Sequence, residues 1–184
     1  MNREIEVRFL NVNKNDLIKI LLDKGALDKG ENILSEIIFY DPELSWIKEN
    51  RFVRIRSIGD KTKLTYKHHK YQGIDGAYEI ELSVSDPQVT TNFLENIGLI
   101  AYRFQEKKRQ TLQWGDIIID IDTWPKIPTY VEFEGKAEKD LRDFINLIGF
   151  KWEDAVFEDA KFIIENRYNI PIGKMKYFTF SKIE

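Results

Sequence analysis

Pairs of charged residues separated by one apolar residue recur along this chain, and their chemistry suits a metal ion and a polyanion. The first stretch, Glu4-Ile5-Glu6-Val7-Arg8-Phe9, alternates strictly between charged and apolar residues. Because successive side chains of a β-strand point to opposite faces, its charged residues share one face. Carboxylates two residues apart on a strand lie about 6–7 Å apart, so with a third carboxylate they can bind Mg²⁺ or Mn²⁺.

The same alternation recurs in six further segments, which predicts one charged face that continues across several strands. The acids of this face are Glu4, Glu6, Glu79, Glu81, Asp120, Asp122, Glu132 and Glu134. The bases are Arg8, Arg54, Arg56, Lys63, Lys67, Lys107 and Arg109. Arginine presents forked donors that match phosphate oxygens, and lysine acts as a point charge.

Two interpretations of this face compete. A single strand with one charged and one apolar face usually belongs to an antiparallel sheet whose charged side lies in water. Repeated, almost purely ionic rows favour a sheet that curls until the charges line a wet tunnel, because an isolated buried charge is costly. Acidic rows beside basic rows then suit a polyphosphate with its metal ions, the arrangement of phosphoryl-transfer sites.

Composition limits the classes of function that the chain can have. Its 184 residues suit one domain with a substantial core. The net charge of −3 argues against nucleic acid or anionic lipid as a general partner. The absence of cysteine excludes disulfides and thiolate chemistry. With no signal-like or membrane-spanning apolar run, we expect a soluble cytoplasmic protein.

Strands and helices that would position these residues follow from periodicity and from turn residues. Predicted strands cover residues 4–9, 37–40, 52–57, 63–67, 78–84, 104–114, 116–123 and 130–134. Predicted helices begin at Asn13 or Asn15, at Asp86-Pro87, after Gly135 and near Asp154. We expect the helix after Asp86 to turn Val89, Phe93, Leu94 and Ile97 inward. Loops are predicted through Gly30 and from His68 to Ala77.

The ordered set of charged segments resembles the CYTH domain, the family of triphosphate tunnel metalloenzymes. Glu4-Ile5-Glu6-Val7-Arg8 is similar to its ExExK signature. The likeness continues through Arg54/Arg56, Leu64-Thr65-Tyr66-Lys67, Tyr78-Glu79-Ile80-Glu81, Lys107/Arg109, Asp122 and Glu132/Glu134. It spans roughly residues 1–168 of a chain that we treat as one CYTH-like domain, residues 1–184. The resemblance implies an α+β fold, an eight-stranded antiparallel β-barrel with flanking helices.

The resemblance also implies a role for each charged residue. Glu4, Glu6 and Glu134 would hold the principal metal, Mg²⁺ or Mn²⁺, with Asp122 and Glu132 in the acidic wall or at a second ion. Glu79 and Glu81 would position or deprotonate the nucleophile. Substrate phosphates would be bound by Arg8, Arg54, Arg56, Lys63, Lys67, Lys107 and Arg109.

This sequence departs from the family pattern at several places. Arg8 stands where the signature has lysine, and arginine is bulkier and harder to deprotonate. Lys63 and Asp120 have the right parity but match the pattern less well. We expect His68 and His69 to decorate a surface loop and the tryptophans to pack in the core or at the rim.

Three functions remain open at this point. The first, which we favour, is a metal-dependent hydrolase of tripolyphosphate or of a nucleoside or thiamine triphosphate. The second is a class IV-type adenylate cyclase that makes cyclic AMP and pyrophosphate, and the third is a non-catalytic polyphosphate-binding module. A homodimer is also left open, because fold and composition do not decide it.

Overall fold

A curled, mostly antiparallel sheet forms the centre of the computed structural model, which describes residues 2–3 (backbone alone), 5–71 and 73–184. Glu4 lies outside these residues, so its predicted role is not tested. The strands are β1 (Asn2–Arg3), β2 (Ile5–Phe9), β3 (Leu27–Tyr40), β4 (Arg51–Ile58), β5 (Lys61–His69), β6 (Ala77–Val84), β7 (Ile100–Trp114), β8 (Ile117–Thr123), β9 (Tyr130–Gly135) and β10 (Tyr177–Phe178). Their order in the sheet is β1-β6-β5-β4-β3-β7-β8-β9-β2, and β10 pairs in parallel with β7.

The N-terminal stretch joins the two edges of this sheet. β1 pairs with β6, where Asn2 lies opposite Glu79, whereas β2 pairs with β9, where Ile5 lies opposite Gly135. With β1 and β2 taken as one N-terminal strand, the sheet has eight antiparallel strands that curl back on themselves. The predicted α+β fold with a curled eight-stranded sheet is therefore confirmed.

Helices flank the sheet at α1 (Lys14–Asp23), α2 (Ser45–Lys48), α3 (Pro87–Asn96), α4 (Glu138–Leu147) and α5 (Ala160–Phe162). Asn13 caps α1 by accepting hydrogen bonds from two backbone N–H groups, and Asp86 caps α3 in the same way. A π-helical turn, Ile163–Arg167, continues α5. None of the helices among the described residues is long and apolar enough to cross a membrane.

The largest part of the apolar core lies on the outer face of the sheet, beneath the helices, and a second cluster that includes Trp124 and Tyr130 lies beside the charged cavity. In the largest cluster, Val7 and Phe133 from the strands meet Phe144 from α4, and all three are almost fully buried. The rings of Phe133 and Phe144 make an edge contact at 6.0 Å. Val7 and Phe133 alternate with charged residues along their strands, so the period of two predicts both the charged face and the apolar face of each strand.

Two predicted boundaries are wrong, each for a local reason. The loop predicted through Gly30 is part of β3. A β-bulge between Asp28 and Glu31 shifts the register there, and Gly30 within it has a φ of +89°, which glycine adopts easily. The last helix begins at Ala160, not near Asp154. Val156 instead exchanges backbone hydrogen bonds of 2.8 and 2.9 Å with Arg8, which holds this segment extended against β2.

Helix α3 also differs from the prediction, because it touches the sheet along a narrow stripe. Of the four residues expected to face inward, Leu94 is buried, with 4% of its surface exposed. Val89, Phe93 and Ile97 expose 60–63% of theirs. Leu94 packs with Phe39, Val53 and Ile55 on the outer face of the sheet. The helix therefore contacts the sheet along one narrow side.

Substitutions at neighbouring positions of α3 should therefore have very different effects. We expect Leu94→Ala to lower the free energy of unfolding by about 2–5 kcal/mol, because it removes buried methyl groups and leaves a cavity. Phe93→Ala should change that free energy by about 0.5 kcal/mol or less, because its ring is mostly in water. Urea unfolding of both variants measures the difference, and an equal loss in both would contradict this packing.

Candidate functional site

A cavity of about 540 Å³ lies inside the curled sheet and is lined by charged side chains of its inner face. This volume falls in the range that small-molecule sites occupy. Ten of the predicted site residues line it: Arg8, Arg54, Arg56, Lys67, Glu79, Glu81, Lys107, Arg109, Glu132 and Glu134. The structure thus brings together residues that are up to 126 positions apart, from Arg8 to Glu134.

The other predicted residues lie behind or beside this lining. Glu6 and Asp122 are buried next to it, with Asp122 wholly inaccessible to solvent. Asp120 is also buried, opposite Glu132 in the register of β8 and β9. Lys63 is the most exposed of the basic set, with 44% of its side chain exposed, and it donates a 2.9 Å hydrogen bond to Glu81.

Arg8 joins two of the predicted metal-binding carboxylates. Its Nε donates to Glu132 at 2.7 Å, its Nη2 donates to Glu6 at 2.7 Å, and its Nη1 donates to the backbone oxygen of Glu158 at 2.9 Å. Burial disfavours the charged forms of Arg8 and Glu132, but the attraction between their opposite charges outweighs this effect. The pKa of Arg8 is therefore raised, and that of Glu132 is held well below its usual range. Both groups are therefore ionised at neutral pH.

A second ionic cluster is centred on Asp122. Lys107 Nζ donates to this carboxylate at 2.6 Å, and Arg109 binds it through Nε and Nη2, each at 2.6 Å. Arg109 also pairs with Asp120, which accepts a 2.6 Å hydrogen bond from Thr111. Burial, followed by the nearby charge of Arg109, lowers the pKa of Lys107 to about 8. Burial opposes ionisation of Asp122, but Arg109 and Lys107 overcome it and lower its pKa.

The basic wall, formed by Arg54 and Arg56 of β4, is built around a carboxylate that the charge pattern did not reveal. Glu36 of β3 is buried and accepts 2.6 Å hydrogen bonds from Arg56 Nε and from Gln105 Nε2. Arg54 Nη1 lies 3.8 Å from the same carboxylate. The Nε of Arg54 is buried and has no hydrogen-bond partner among the described residues. Arg54 also lines the cavity, so its guanidinium group is placed to donate hydrogen bonds to an anion there.

Glu79 and Glu81 line the cavity from β6, next to basic residues of β5. Glu79 lies 3.7 Å from Lys67, its register partner. Glu81 accepts hydrogen bonds from Lys63 at 2.9 Å and from Thr65 at 3.3 Å. Burial opposes ionisation of Glu81, but Lys63 outweighs it and lowers the pKa of the carboxyl group. Glu81 is therefore a carboxylate at neutral pH and a hydrogen-bond acceptor.

His69 and Arg103 also line the cavity, and the sequence patterns missed both. The prediction of a surface loop is wrong for both His68 and His69, because β5 extends to His69. This strand places His69 on the face of Lys67. Burial, followed by the charge of Lys67, lowers its pKa to about 4, so the imidazole is neutral at neutral pH. Trp124 packs as expected, buried with its Nε1 donating to Tyr130 at 2.9 Å.

The predicted metal ligands can be compared with what a divalent ion needs. Glu6 and Glu134 lie opposite each other in the register of β2 and β9, and their oxygen donors suit a hard ion such as Mg²⁺ or Mn²⁺. Within residues 5–71 and 73–184, no three carboxylate or histidine groups are close enough to hold a metal. Glu4, the third predicted ligand, is outside that range. The described donors thus fit the ion in type and in facing position.

Comparison with known proteins identifies the class to which this fold and cavity belong. The family model of the CYTH domain matches residues 2–150. The chain belongs to the CYTH domain family. A search of curated protein sequences finds no match.

Solved structures support the same fold at low sequence identity. The PH1012 protein of Pyrococcus horikoshii OT3 aligns with a TM-score of 0.72 and 22% identity over 85% of this chain and 96% of its own. A Vibrio parahaemolyticus protein with a provisional adenylate cyclase name aligns with a TM-score of 0.77 and 15% identity over 89% and 98%. A Hippeastrum protein described as having a dominant triphosphatase activity aligns with a TM-score of 0.64 and 14% identity over 92% and 98%.

The cluster around Asp122 generates a stability prediction. Asp122→Asn would leave Lys107 and Arg109 buried without their shared counter-charge, so the free energy of unfolding should fall by about 3–5 kcal/mol. Asp143→Asn, which breaks an exposed pair with Lys139 on α4, serves as the control and should change it little. Denaturant unfolding at pH 7 compares the two, and a stable Asp122→Asn protein would show that water solvates this cluster.

Proposed function

We propose that this protein is a metal-dependent phosphohydrolase that cleaves a triphosphate bound in the charged cavity. The substrate is inorganic tripolyphosphate or a nucleoside or thiamine triphosphate. The observation that carries the proposal is the basic wall, where Arg54 and Arg56 both line the cavity and share one buried carboxylate, Glu36. A chain of phosphates supplies the several acceptor oxygens that such a wall needs.

Family membership supports the same conclusion. The CYTH domain implies a triphosphate substrate and a divalent metal. The likeness to the Hippeastrum triphosphatase shows a shared fold, and it favours hydrolysis only as an analogy. The choice between Mg²⁺ and Mn²⁺ is open, and a cytoplasmic location, a homodimer and a single domain over residues 1–184 stay predictions.

The proposed roles follow the two walls of the cavity. Arg54, Arg56 and Lys67 would bind the phosphate oxygens, together with Lys107 and Arg109. Arg8 and Lys63, predicted as substrate contacts, hold Glu132 and Glu81 in the structure and would act mainly by positioning these carboxylates.

Glu4, Glu6 and Glu134 would hold the metal, with Asp122 and Glu132 in the acidic wall behind them. When bound, a divalent ion supplies neutralisation of the negative charge on phosphate oxygens. The chain's own task is to hold these carboxylates in position, and Arg8 contributes to this by pairing with Glu6 and Glu132.

Glu79 and Glu81 would position the water that attacks the terminal phosphorus. A carboxylate with a lowered pKa is a weak base, so Glu81 would act chiefly by accepting a hydrogen bond from that water and fixing its direction. Lys63 and Thr65 hold Glu81 in place for this purpose.

The first prediction concerns the metal. Titration with Mg²⁺ or Mn²⁺ should raise both turnover and triphosphate affinity, because the acidic wall repels a polyanion when no cation is present. Replacement of both Glu4 and Glu6 by glutamine should abolish turnover while the protein stays folded, since a glutamine oxygen can still accept from Arg8. Phosphate release assays and circular dichroism test this, and full turnover in excess chelator would refute it.

The second prediction concerns the reaction. Tripolyphosphate should be hydrolysed at least as efficiently as ATP, because the proposed contacts from Arg54, Arg56 and Lys67 are to phosphate groups and need no nucleoside. Glu81→Gln should lower kcat more than it weakens binding, because an oriented water matters mainly in the transition state. Product analysis is decisive: cyclic AMP from ATP with tripolyphosphate inert would establish a cyclase, and binding without turnover would establish a polyphosphate-binding module.

A further inference from the structure

Four side chains in the cavity wall form a continuous chain of hydrogen bonds across three strands. Arg56 Nε of β4 donates to Glu36 Oε1 of β3 at 2.6 Å. Gln105 Nε2 of β7 donates to Glu36 Oε2 at 2.6 Å. Arg103 Nε, also of β7, donates to Gln105 Oε1 at 2.7 Å. The register makes this possible, because Glu36 lies directly opposite Arg56 on one side and opposite Gln105 on the other.

The chain of hydrogen bonds has a fixed direction, which Glu36 sets. A carboxylate accepts at both oxygens, so it accepts from Arg56 with one and from Gln105 with the other. The amide nitrogen of Gln105 must therefore face Glu36, and its amide oxygen must face Arg103. A neutral amide at position 36 would accept at only one end and would present a donor to Gln105 at the other.

This arrangement engages Arg56 and Arg103 through Nε and leaves their terminal nitrogens for other partners. Both side chains line the cavity. One terminal nitrogen of Arg103, Nη1, lies 3.3 Å from the backbone oxygen of Ile172, and no hydrogen bond within the described part of the chain uses Nη2. Two guanidinium groups are thus set at fixed positions on either side of Glu36.

Glu36 itself is placed to act through its neighbours. Only 2% of its side chain is exposed, against 15% for that of Arg56, so a ligand in the cavity reaches Arg56 before Glu36. Burial opposes its ionisation, but Arg56 and Arg54 outweigh this and hold its pKa far below the usual range. Its permanent charge offsets the mutual repulsion of Arg54 and Arg56, which would otherwise be unfavourable so far from water.

We propose that Glu36 and Gln105 are positioning residues that orient Arg56 and Arg103, and that Arg103 is a further phosphate-binding residue of the cavity. The inference rests on the proposed function, because it takes the ligand to be a polyphosphate. It adds a third arginine to the predicted pair of Arg54 and Arg56, and it assigns the placement of Arg56 and Arg103 to a buried hydrogen-bond chain.

An exchange of the two side chains tests the positioning pair, with tripolyphosphate as the probe. Glu36→Gln should weaken binding by about tenfold or more, since it removes a charge-assisted bond and reverses the required direction of Gln105. The double variant Glu36→Gln with Gln105→Glu should restore binding to within about threefold. In it, the amide now on β3 can accept from Arg56 and donate to the carboxylate now on β7, which accepts from Arg103. Glu31→Gln, on the same strand but outside the cavity lining, is the control.

Isothermal titration calorimetry gives the affinities, and thermal unfolding reports stability separately. If Glu36→Gln lowers only the melting temperature, or if the double variant regains the fold but not the affinity, the positioning role is overturned. If Glu36→Gln does not fold, rescue of both fold and affinity by the double variant still supports it. If the wild-type protein binds no tripolyphosphate, the proposed function is overturned. If the wild type binds tripolyphosphate and Glu36→Gln binds it equally well, only the positioning role is overturned.

Arg103 is tested by Arg103→Lys, which keeps the charge but loses the fork. A lysine cannot both bind Gln105 and present terminal nitrogens to a phosphate, so affinity should fall by about tenfold while kcat at saturating substrate changes little. Unchanged affinity in Arg103→Lys would overturn its assignment as a phosphate contact.

Discussion

Ion pairing inside the curled sheet is the constraint on which the rest of this structure depends. A charge that leaves water must gain a partner, and the register supplies one for each wall of the cavity. Arg8 lies opposite Glu132, Arg109 lies opposite Asp122, and Glu36 lies opposite Arg56. Ion pairs across neighbouring strands therefore compensate the charges that the curled sheet removes from water.

The charged interior leaves the largest hydrophobic cluster on the outside of the sheet. In a typical small barrel, the apolar side chains of the strands point inward and need few helices packed against the outside. In this protein, the apolar side chains on the outer face of the strands are buried by packing against helices. Helices α1 and α4 supply this cover over Val7 and Phe133. Much of the stability of the fold thus comes from the outer layer that the helices cover, and the charged part of the inner face is left to bind a ligand.

Sequence periodicity predicts most of this fold and part of the site. Alternation identifies the strand faces, because side chains two positions apart, such as those of Glu4, Glu6 and Arg8, are expected on the same face of a strand. It misses Glu36 and Arg103, since each is a single charge whose neighbours two positions away include no like charge. It also misplaces His69 and the outer residues of α3, because strand length and helix contact width depend on tertiary packing that no local pattern contains.

The long separation between Arg8 and its partner has a consequence for how the chain assembles. Arg8 and Glu132 are 124 positions apart, whereas Arg56 finds Glu36 only 20 positions away. During synthesis, the basic hairpin of β4 and β5 can therefore be neutralised early by Glu36 and by β6, which follows at once. The pair of Arg8 with Glu132 must wait until β9 has been made. Closure of the sheet, and with it the acidic wall, then belongs to the last and slowest stage of folding, because long loops close late.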